Sequence, residues 1–327
     1  MGAEIRSVTS TITWANRWDH SLARWRINRM GHRVEPGLYA LGSPTADSPV
    51  LVSANYTLSF DALRSALVGR NAYILALDSK GINVWCAAGK GTFGTDELVQ
   101  RIETTRLANV VRHRALVLPQ LGAPGVSAHE VERRSGFKVE YGPVRAADLP
   151  AYLQTHQATP EMRRVRFGLW DRLVLIPVEL VGALVPMAVA ALAAYLVGGI
   201  WAAAAVVAAA LAGVILFPLL LPWLPTREFS TKGLILGALV ALPFAGVVFS
   251  RMAASPLWLR GASALAYLLP LPAVTAYLAL NFTGATTFTS RTGVRREIYR
   301  YVPWMAGMFG SGIVLLLVTM LVTRLGG

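Results

Sequence analysis

The chain has one cysteine, Cys86, set in the run Asn83-Val84-Trp85-Cys86-Ala87-Ala88-Gly89-Lys90-Gly91. A thiol does its chemistry as the thiolate, either as a nucleophile or as a ligand to a soft metal. Asn83 is a good helix N-cap, which places Cys86 in a first helical turn, where the positive end of the helix favours an anion. Lys90 follows one turn later on the same face and adds a second positive charge. Ala87, Ala88 and Gly89 carry little bulk, so a large flat ligand has room against the backbone. The same pattern fits a buried structural cysteine, the commonest fate of a lone thiol, and the spacing names no metal. One cysteine excludes an internal disulfide. It also excludes an iron–sulfur cluster in this chain, since a cluster needs about four thiolates. His20, His32, His113, His129 and His156 show no zinc spacing.

The elements around this run alternate between strands and helices. Gly37–Gly42 and Pro49–Ala54 are strand-like apolar runs, Ser59–Gly69 reads as a capped helix, and Ala72–Asp78 is a continuous apolar strand of the kind covered on both faces. Thr95 caps a helix with acids in its first turn. Ala115–Leu121, a helix near Ser127–Arg134, Lys138–Pro143 and a helix near Ala146–Gln154 complete the series. This alternation predicts an α/β fold with a largely parallel, Rossmann-like sheet, whose ligands bind beyond the carboxyl ends of the strands. That rule selects four loops: Ser53–Ala54–Asn55, Asp78–Gly94, Pro119–Gln120–Leu121–Gly122–Ala123 and Tyr141–Gly142–Pro143–Val144. No phosphate-binding glycine loop is present in them.

Beyond Arg172 the character changes. Of 18 acids only Glu179, Glu228 and Glu297 follow it. Five apolar stretches, near 173–197, 200–224, 233–250, 258–280 and 303–323, each approach the roughly 20 residues that cross a bilayer. The division predicted is an N-terminal extension at 1–36, an α/β domain at 37–157, a basic juxtamembrane linker at 158–172 and a five-helix transmembrane domain at 173–327. Arg163, Arg164, Arg166, Arg172, Arg227, Lys232, Arg291, Arg295, Arg296 and Arg300 fall on one side of these spans, and only Arg251, Arg260 and Arg324 on the other. The positive-inside rule then puts the α/β domain in the cytoplasm, the spans in the inner membrane and the C-terminus outside. The net charge of +13 collects largely beside the spans and so argues against a nucleic-acid partner. The first 30 residues lack an apolar core and do not read as a cleavable signal peptide. Glu179 is either a functional intramembrane acid or a carboxylate satisfied near the segment end.

The run Asn83–Gly91 resembles the cap-helix signature of the HgcA family, the membrane corrinoid proteins of microbial mercury methylation. Leu51–Arg64, Leu118–Val131, Ser135–Leu153 and Asn281–Ser290 also resemble that family, as does one soluble domain followed by five spans. The segments other than the cysteine run are shared more weakly with the corrinoid subunit of the corrinoid iron–sulfur protein. The family's usual threonine before Ala-Asn is Ser53 here, which keeps the hydroxyl. The DxHxxG motif of histidine-ligated corrinoid proteins and the four-cysteine cluster domain of the iron–sulfur relative are both absent from this sequence.

The resemblance implies a cobalamin-type corrinoid held base-off, with the Cys86 thiolate as lower axial cobalt ligand. It places Ser53 and the run Asn83, Val84, Trp85, Cys86, Ala87, Ala88, Gly89, Lys90 and Gly91 around the cofactor, and the strand-end loops add Ala54, Asn55, Gln120, Leu121, Gly122, Tyr141, Gly142 and Pro143. It implies a methyltransferase that passes a methyl group from cobalt to Hg(II), giving methylmercury. Hg(II) is an electrophile and takes a methyl group that leaves with both bonding electrons, a departure that a thiolate donor trans to it favours. The implied partners are a folate-type methyl donor or its methyltransferase and a ferredoxin-like protein with two 4Fe–4S clusters. Another methyl acceptor, or a transporter or sensor with an inert Cys86, are the competing readings.

Overall fold

The computed structural model describes residues 4–286 and 290–325. Thr287–Thr289, in the middle of the Asn281–Ser290 segment, lie outside the described residues. The chain falls into two compact units, parted between Arg166 and Phe167.

The first unit is an α/β domain. Its elements are β1 (Ile5–Val8), α1 (Trp14–Arg24), β2 (Gly37–Leu41), β3 (Val50–Ala54), α2 (Thr57–Ser65), β4 (Ala72–Leu77), α3 (Val84–Lys90), α4 (Thr95–Thr104), β5 (Ala115–Leu118), α5 (Ala128–Ser135), β6 (Lys138–Tyr141) and α6 (Leu149–Thr155). The sheet order is β1-β2-β4-β3-β5-β6. β4, β3, β5 and β6 run parallel. β2 runs antiparallel to β4, and β1 parallel to β2. The reversal at β2 follows from its connection to β3, residues 42–49, which is shorter than the dozen or so residues a parallel crossover needs.

The period of two along β4 explains its unbroken apolar run. Tyr73, Leu75 and Leu77 pack on one face with Val84, Leu98 and Val131 from the helices α3, α4 and α5. Ala72, Ile74 and Ala76 pack on the other with Phe60 and Leu63 of α2 and Leu149 and Tyr152 of α6. Every β4 residue is buried, so a polar substitution on either face would strand a polar group in the core.

The second unit is helical: α7 (Leu169–Leu173), α8 (Ile176–Leu211), continued through a π turn at Ala212–Leu216 into α9 (Phe217–Leu220), then α10 (Phe229–Arg251), α11 (Leu257–Leu268), α12 (Pro270–Asn281) and α13 (Arg291–Leu325). Four of its helical stretches are long and apolar enough to cross a membrane: Leu169–Leu220, Phe229–Arg251, Leu257–Ala285 and Thr292–Leu325. Five apolar runs fit four stretches because the first, 52 residues long, holds two of them.

That first stretch turns back on itself. Gly199 breaks the helix with φ 70° and ψ −166°, a conformation that glycine adopts without a side-chain clash. The Arg172 guanidinium, before the break, donates to the carbonyls of Pro218 and Leu219, after it, at 2.9 and 2.6 Å. Trp201, just past the break, donates to the carbonyl of Phe244 and lies under Arg251 at the far end of α10. At the other end Phe217 packs on Phe229. The two legs and α10 therefore run antiparallel in succession. α10 lies tightly on α12 through Gly233 and Gly237, one turn apart. A Cβ at either would come 2.6 Å from the backbone of Ala276 or Pro272. Small residues four apart let helix backbones approach in a membrane, where apolar burial no longer distinguishes protein from lipid.

Helix ends in this unit are closed by side chains from other helices. Glu297 of α13 accepts from the Phe229 and Ser230 amides at 3.3 and 3.1 Å and from the Ser230 hydroxyl at 3.0 Å, capping α10. Lys232 donates to the carbonyl of Leu221 at 2.8 Å. Each satisfies a terminal backbone group that would otherwise lack a partner. Glu179 falls in the first turn of α8, where a carboxylate meets the positive end of the helix.

Candidate functional site

The parallel strands end together. Ala54 is in register with Leu77, and Leu118 with Tyr141. The chain goes from β3 to β4 on one side, then crosses back to β5 on the other, so the strand order reverses between β3 and β5. A crevice at such a reversal, beyond the carboxyl ends, is where open α/β sheets bind ligands. The four loops selected from the sequence all lie along this edge.

The loop after β4 carries the cysteine. Asn83 has extended backbone angles, and its side chain accepts from the Cys86 amide at 2.9 Å, so the cap forms as its residue type predicts. α3 then runs only to Lys90 and closes at Gly91, with φ 85°. Val84, Ala87 and Ala88 face inward and join the core of the sheet. Trp85, Cys86 and Gly89 are half-buried, and Asn83 and Lys90 exposed. The small side chains at 87 and 88 thus serve the seating of the helix. Gly125 completes that seat, since a Cβ there would lie 2.9 Å from Ala88 Cα and 2.2 Å from the Phe93 carbonyl oxygen. Gly89, one turn from Cys86 and Trp85, is half-buried like them, so these three residues form the outer side of the helix.

The loop is held from beneath by Asn55. Its carboxamide oxygen accepts from the Ser79 amide at 3.1 Å, the Ser79 hydroxyl at 2.9 Å and the Gly81 amide at 3.1 Å. Its amide nitrogen donates to Asp78 at 3.3 Å, and its backbone N–H to the Leu77 carbonyl at 2.9 Å. Asp78 is fixed further by the Glu97 carboxylate, which accepts from its amide at 2.8 Å. Lys80 holds the Asp78 carboxyl below the usual range, against the opposing effect of burial. Ser53 and Ala54 are buried, and the Ser53 hydroxyl donates to the Ala54 carbonyl at 3.2 Å.

The remaining two loops are tied to each other. The Gln120 amide donates to the Pro143 carbonyl at 3.4 Å, and the Gln120 side chain accepts from Arg163 at 2.5 Å. The Gly142 amide donates to the Leu118 carbonyl at 2.8 Å, and the Tyr141 hydroxyl to the Val126 carbonyl at 2.6 Å. Burial pushes the Tyr141 phenol up from its ordinary pKa. Gly122 lies under the Phe93 ring and Leu121 packs against the same core. α3 packs on the Gln120–Gly122 turn, so the cysteine helix bridges the edge from β3 to β5. Among the described residues no three His, Cys, Asp or Glu side chains form a metal-binding set.

Tyr56 escaped the sequence reading. Burial raises its phenol pKa, Arg24 and Arg29 oppose this, and Cys86 pushes the same way as burial. The phenol therefore lies within electrostatic reach of the thiol and of two arginines from the N-terminal segment. Its position, directly after Asn55 at a strand end, was the available signal.

Residues 26–153 match the family model described as the CO dehydrogenase/acetyl-CoA synthase delta subunit. The gamma subunit of the acetyl-CoA decarbonylase/synthase complex of Methanopyrus kandleri is 33% identical over 128 residues, 38% of this chain and 27% of that protein. The large subunit of the corrinoid/iron–sulfur protein of Moorella thermoacetica is 26% identical over 145 residues, 42% of this chain and 32% of that protein. The α/β domain is the part of the chain that is similar to these two subunits. The chain spans about a quarter to a third of the length of these two relatives. The family match takes in β2 to β6 and all four strand-end loops, including Cys86 and Asn55, and ends at residue 153, before the helical unit.

Proposed function

We propose that the chain is a membrane-bound corrinoid-dependent methyltransferase that methylates Hg(II), with Cys86 as the lower axial ligand to cobalt. The observation that carries the reading is Cys86, half-exposed in the first turn of α3, at the reversal point of a sheet related to corrinoid subunits. A ligand beyond the strand ends would meet the half-buried Trp85, Cys86, Gly89 and Gln120 and the exposed Lys90, with Ser53, Asn55 and Gly142 buried beneath. Bound there, the corrinoid would supply a cobalt-held methyl group to an electrophilic acceptor, the protein furnishing geometry and the axial donor.

The chain's own residues would do the following. Cys86 would supply the thiolate that holds the cobalt. Asn83 holds the Cys86 amide in the helical turn. Asn55 and Glu97 fix the loop on which the helix rides. Ala87 and Ala88, seated against Gly125, keep the helix close to the strands. The sequence holds no second thiol, so reducing equivalents, and thiols that deliver mercury, would come from a ferredoxin-like partner with two 4Fe–4S clusters. The methyl group would come from a folate-type donor or its methyltransferase.

The test is reconstitution of the purified full-length chain with corrinoid under reducing conditions, followed by mercury methylation with an added low-potential reductant. The parent binds about one corrinoid and forms methylmercury. Cys86→Ala folds, binds corrinoid more weakly and forms none. Cys86→His keeps a ligand but replaces an anionic donor with a neutral one, and transfers methyl more slowly. A colourless parent after reconstitution refutes the reading. Equal rates for Cys86→His and parent would reduce the thiolate to an anchor.

A further inference from the structure

Helix α1 is amphipathic in the inverted sense. In a soluble domain a surface helix turns its apolar stripe to the core. Here the inward side is polar. His20 pairs with Asp61 at 2.7 Å, Asn16 accepts from Arg64 at 3.1 Å, and Asp19 accepts from His32 and from Thr57, both at 2.7 Å. Ala23 is the buried apolar residue of this side. The outward side holds Trp14, Trp18 and Trp25, spaced at four and seven residues so that they form one stripe, and they are 86, 67 and 47% exposed. Ile27 and Met30, just past the helix, extend the patch at 54 and 55% exposure. The inner contacts fix the orientation, because Arg64 also donates to the carbonyls of Thr9 and Thr11 at 2.6 and 2.7 Å and holds the start of the segment.

The charge around this stripe has one sign. Arg17, Arg24, Arg26, Arg29 and Arg33 flank it, and the only acid between Glu4 and Glu35 is Asp19, which points inward. Exposed tryptophans ringed by arginines, on a chain that also carries helices able to span a bilayer, match the chemistry of an anionic membrane interface. There indoles settle at the headgroup level and arginines meet lipid phosphates. We propose that the outer face of Trp14–Arg33 docks on the surface of an anionic bilayer, making the α/β domain a peripheral membrane domain as well as a tethered one.

Full-length protein labelled with 5-fluorotryptophan, in nanodiscs of phosphatidylcholine alone or mixed with phosphatidylglycerol, tests this by fluorine NMR. Resonances are assigned with Trp14→Phe, Trp18→Phe and Trp25→Phe. A gadolinium chelate carried on lipid should broaden these three resonances in the phosphatidylglycerol discs and less in phosphatidylcholine, while a soluble chelate should leave them sharp. Reversing charge at exposed positions (Arg17→Glu, Arg26→Glu, Arg29→Glu) leaves the inner contacts intact and should return the resonances to the soluble chelate. Broadening by the soluble chelate in anionic discs, or lipid broadening of equal size in both compositions, overturns the proposal. Protection that arises only when an acidic protein is added overturns it too, and assigns the face to protein docking.

Discussion

Asn55 sits one residue past the end of β3, and three donors converge on its carboxamide oxygen. Ser79 and Gly81, which supply those donors, are buried. Replacing Asn55 by Ala leaves the buried Gly81 N–H without its acceptor, at about 1–3 kcal/mol, while Ser79 keeps the carbonyls of Leu77 and Ile82. The expected result is a thermal midpoint lower by roughly 5 °C and weaker corrinoid binding, with the Cys86-ligated absorption signature retained in the fraction that binds. An unchanged midpoint and affinity would show that the loop after β4 holds its shape without this residue. The strand-end rule picked out Asn55, but as a residue facing the ligand. Its role in holding the loop was not legible, because its partners lie 24 and 26 residues away and only the folded sheet brings them together. Cys86 and Asn83 were legible, since a cap and the turn that follows it are local. Ala87 and Ala88 were legible as small but not as inward-facing, for their direction depends on Gly125, far along the chain.

At the scale of elements the unread part was the N-terminal segment. β1 is four residues long and α1 shows its polar side to the core, so neither has the apolar periodicity that marks a packed element. What holds them is a polar clasp. His32 is buried, with one ring nitrogen 2.7 Å from the Asp19 carboxylate and the other 2.6 Å from the Ile27 carbonyl. Both partners accept, so the ring carries both protons. Burial lowers its pKa, but the bonds to Ile27 and Asp19 outweigh burial and lift it above the ordinary 6.5. A raised folded pKa gives stability that is complete below the unfolded value and is lost as pH rises through the folded one. The clasp should therefore loosen as pH rises above the ordinary histidine value, with a loss of about 1.5–3 kcal/mol for a charge-assisted bond. Amide exchange of residues 26–34 in the full-length protein, corrected for intrinsic rates, should show less protection at about pH 8.5 than at about pH 6. His32→Gln should remove the difference; an unchanged pH dependence in that variant would place the titrating group elsewhere. The contrast with β4 is instructive, since its six apolar residues announced a strand covered on both faces, as the core confirms.

For the whole molecule the deciding element is the turn at Gly199. A straight helix of the length of Leu169–Leu220 would reach about 78 Å, more than twice the roughly 30 Å of bilayer hydrocarbon. The bonds from Arg172 to Pro218 and Leu219 bring its two ends together instead. Hydropathy found both runs, because composition alone marks them. The hairpin was less visible, since one glycine among many carries the reversal. With that turn the helical unit has one end formed by Arg172, Pro218, Glu228, Phe282 and Glu297, and an opposite end near Gly199, Arg251 and Arg260. Arg227, Lys232, Arg295, Arg296 and Arg300 lie toward the first end, and from the positive-inside rule we propose that this end faces the cytoplasm. Topology reporters inserted at Gly199, in the 222–228 connection and in the 252–256 connection should then read outside, cytoplasmic and outside in turn. Closing the turn by Gly199→Leu should lower the yield of inserted protein, because a leucine at that positive φ is strained. If the reporters at Gly199 and in the 222–228 connection both read outside, the first stretch crosses once, and the four crossings that result would return the C-terminus to the side of the α/β domain.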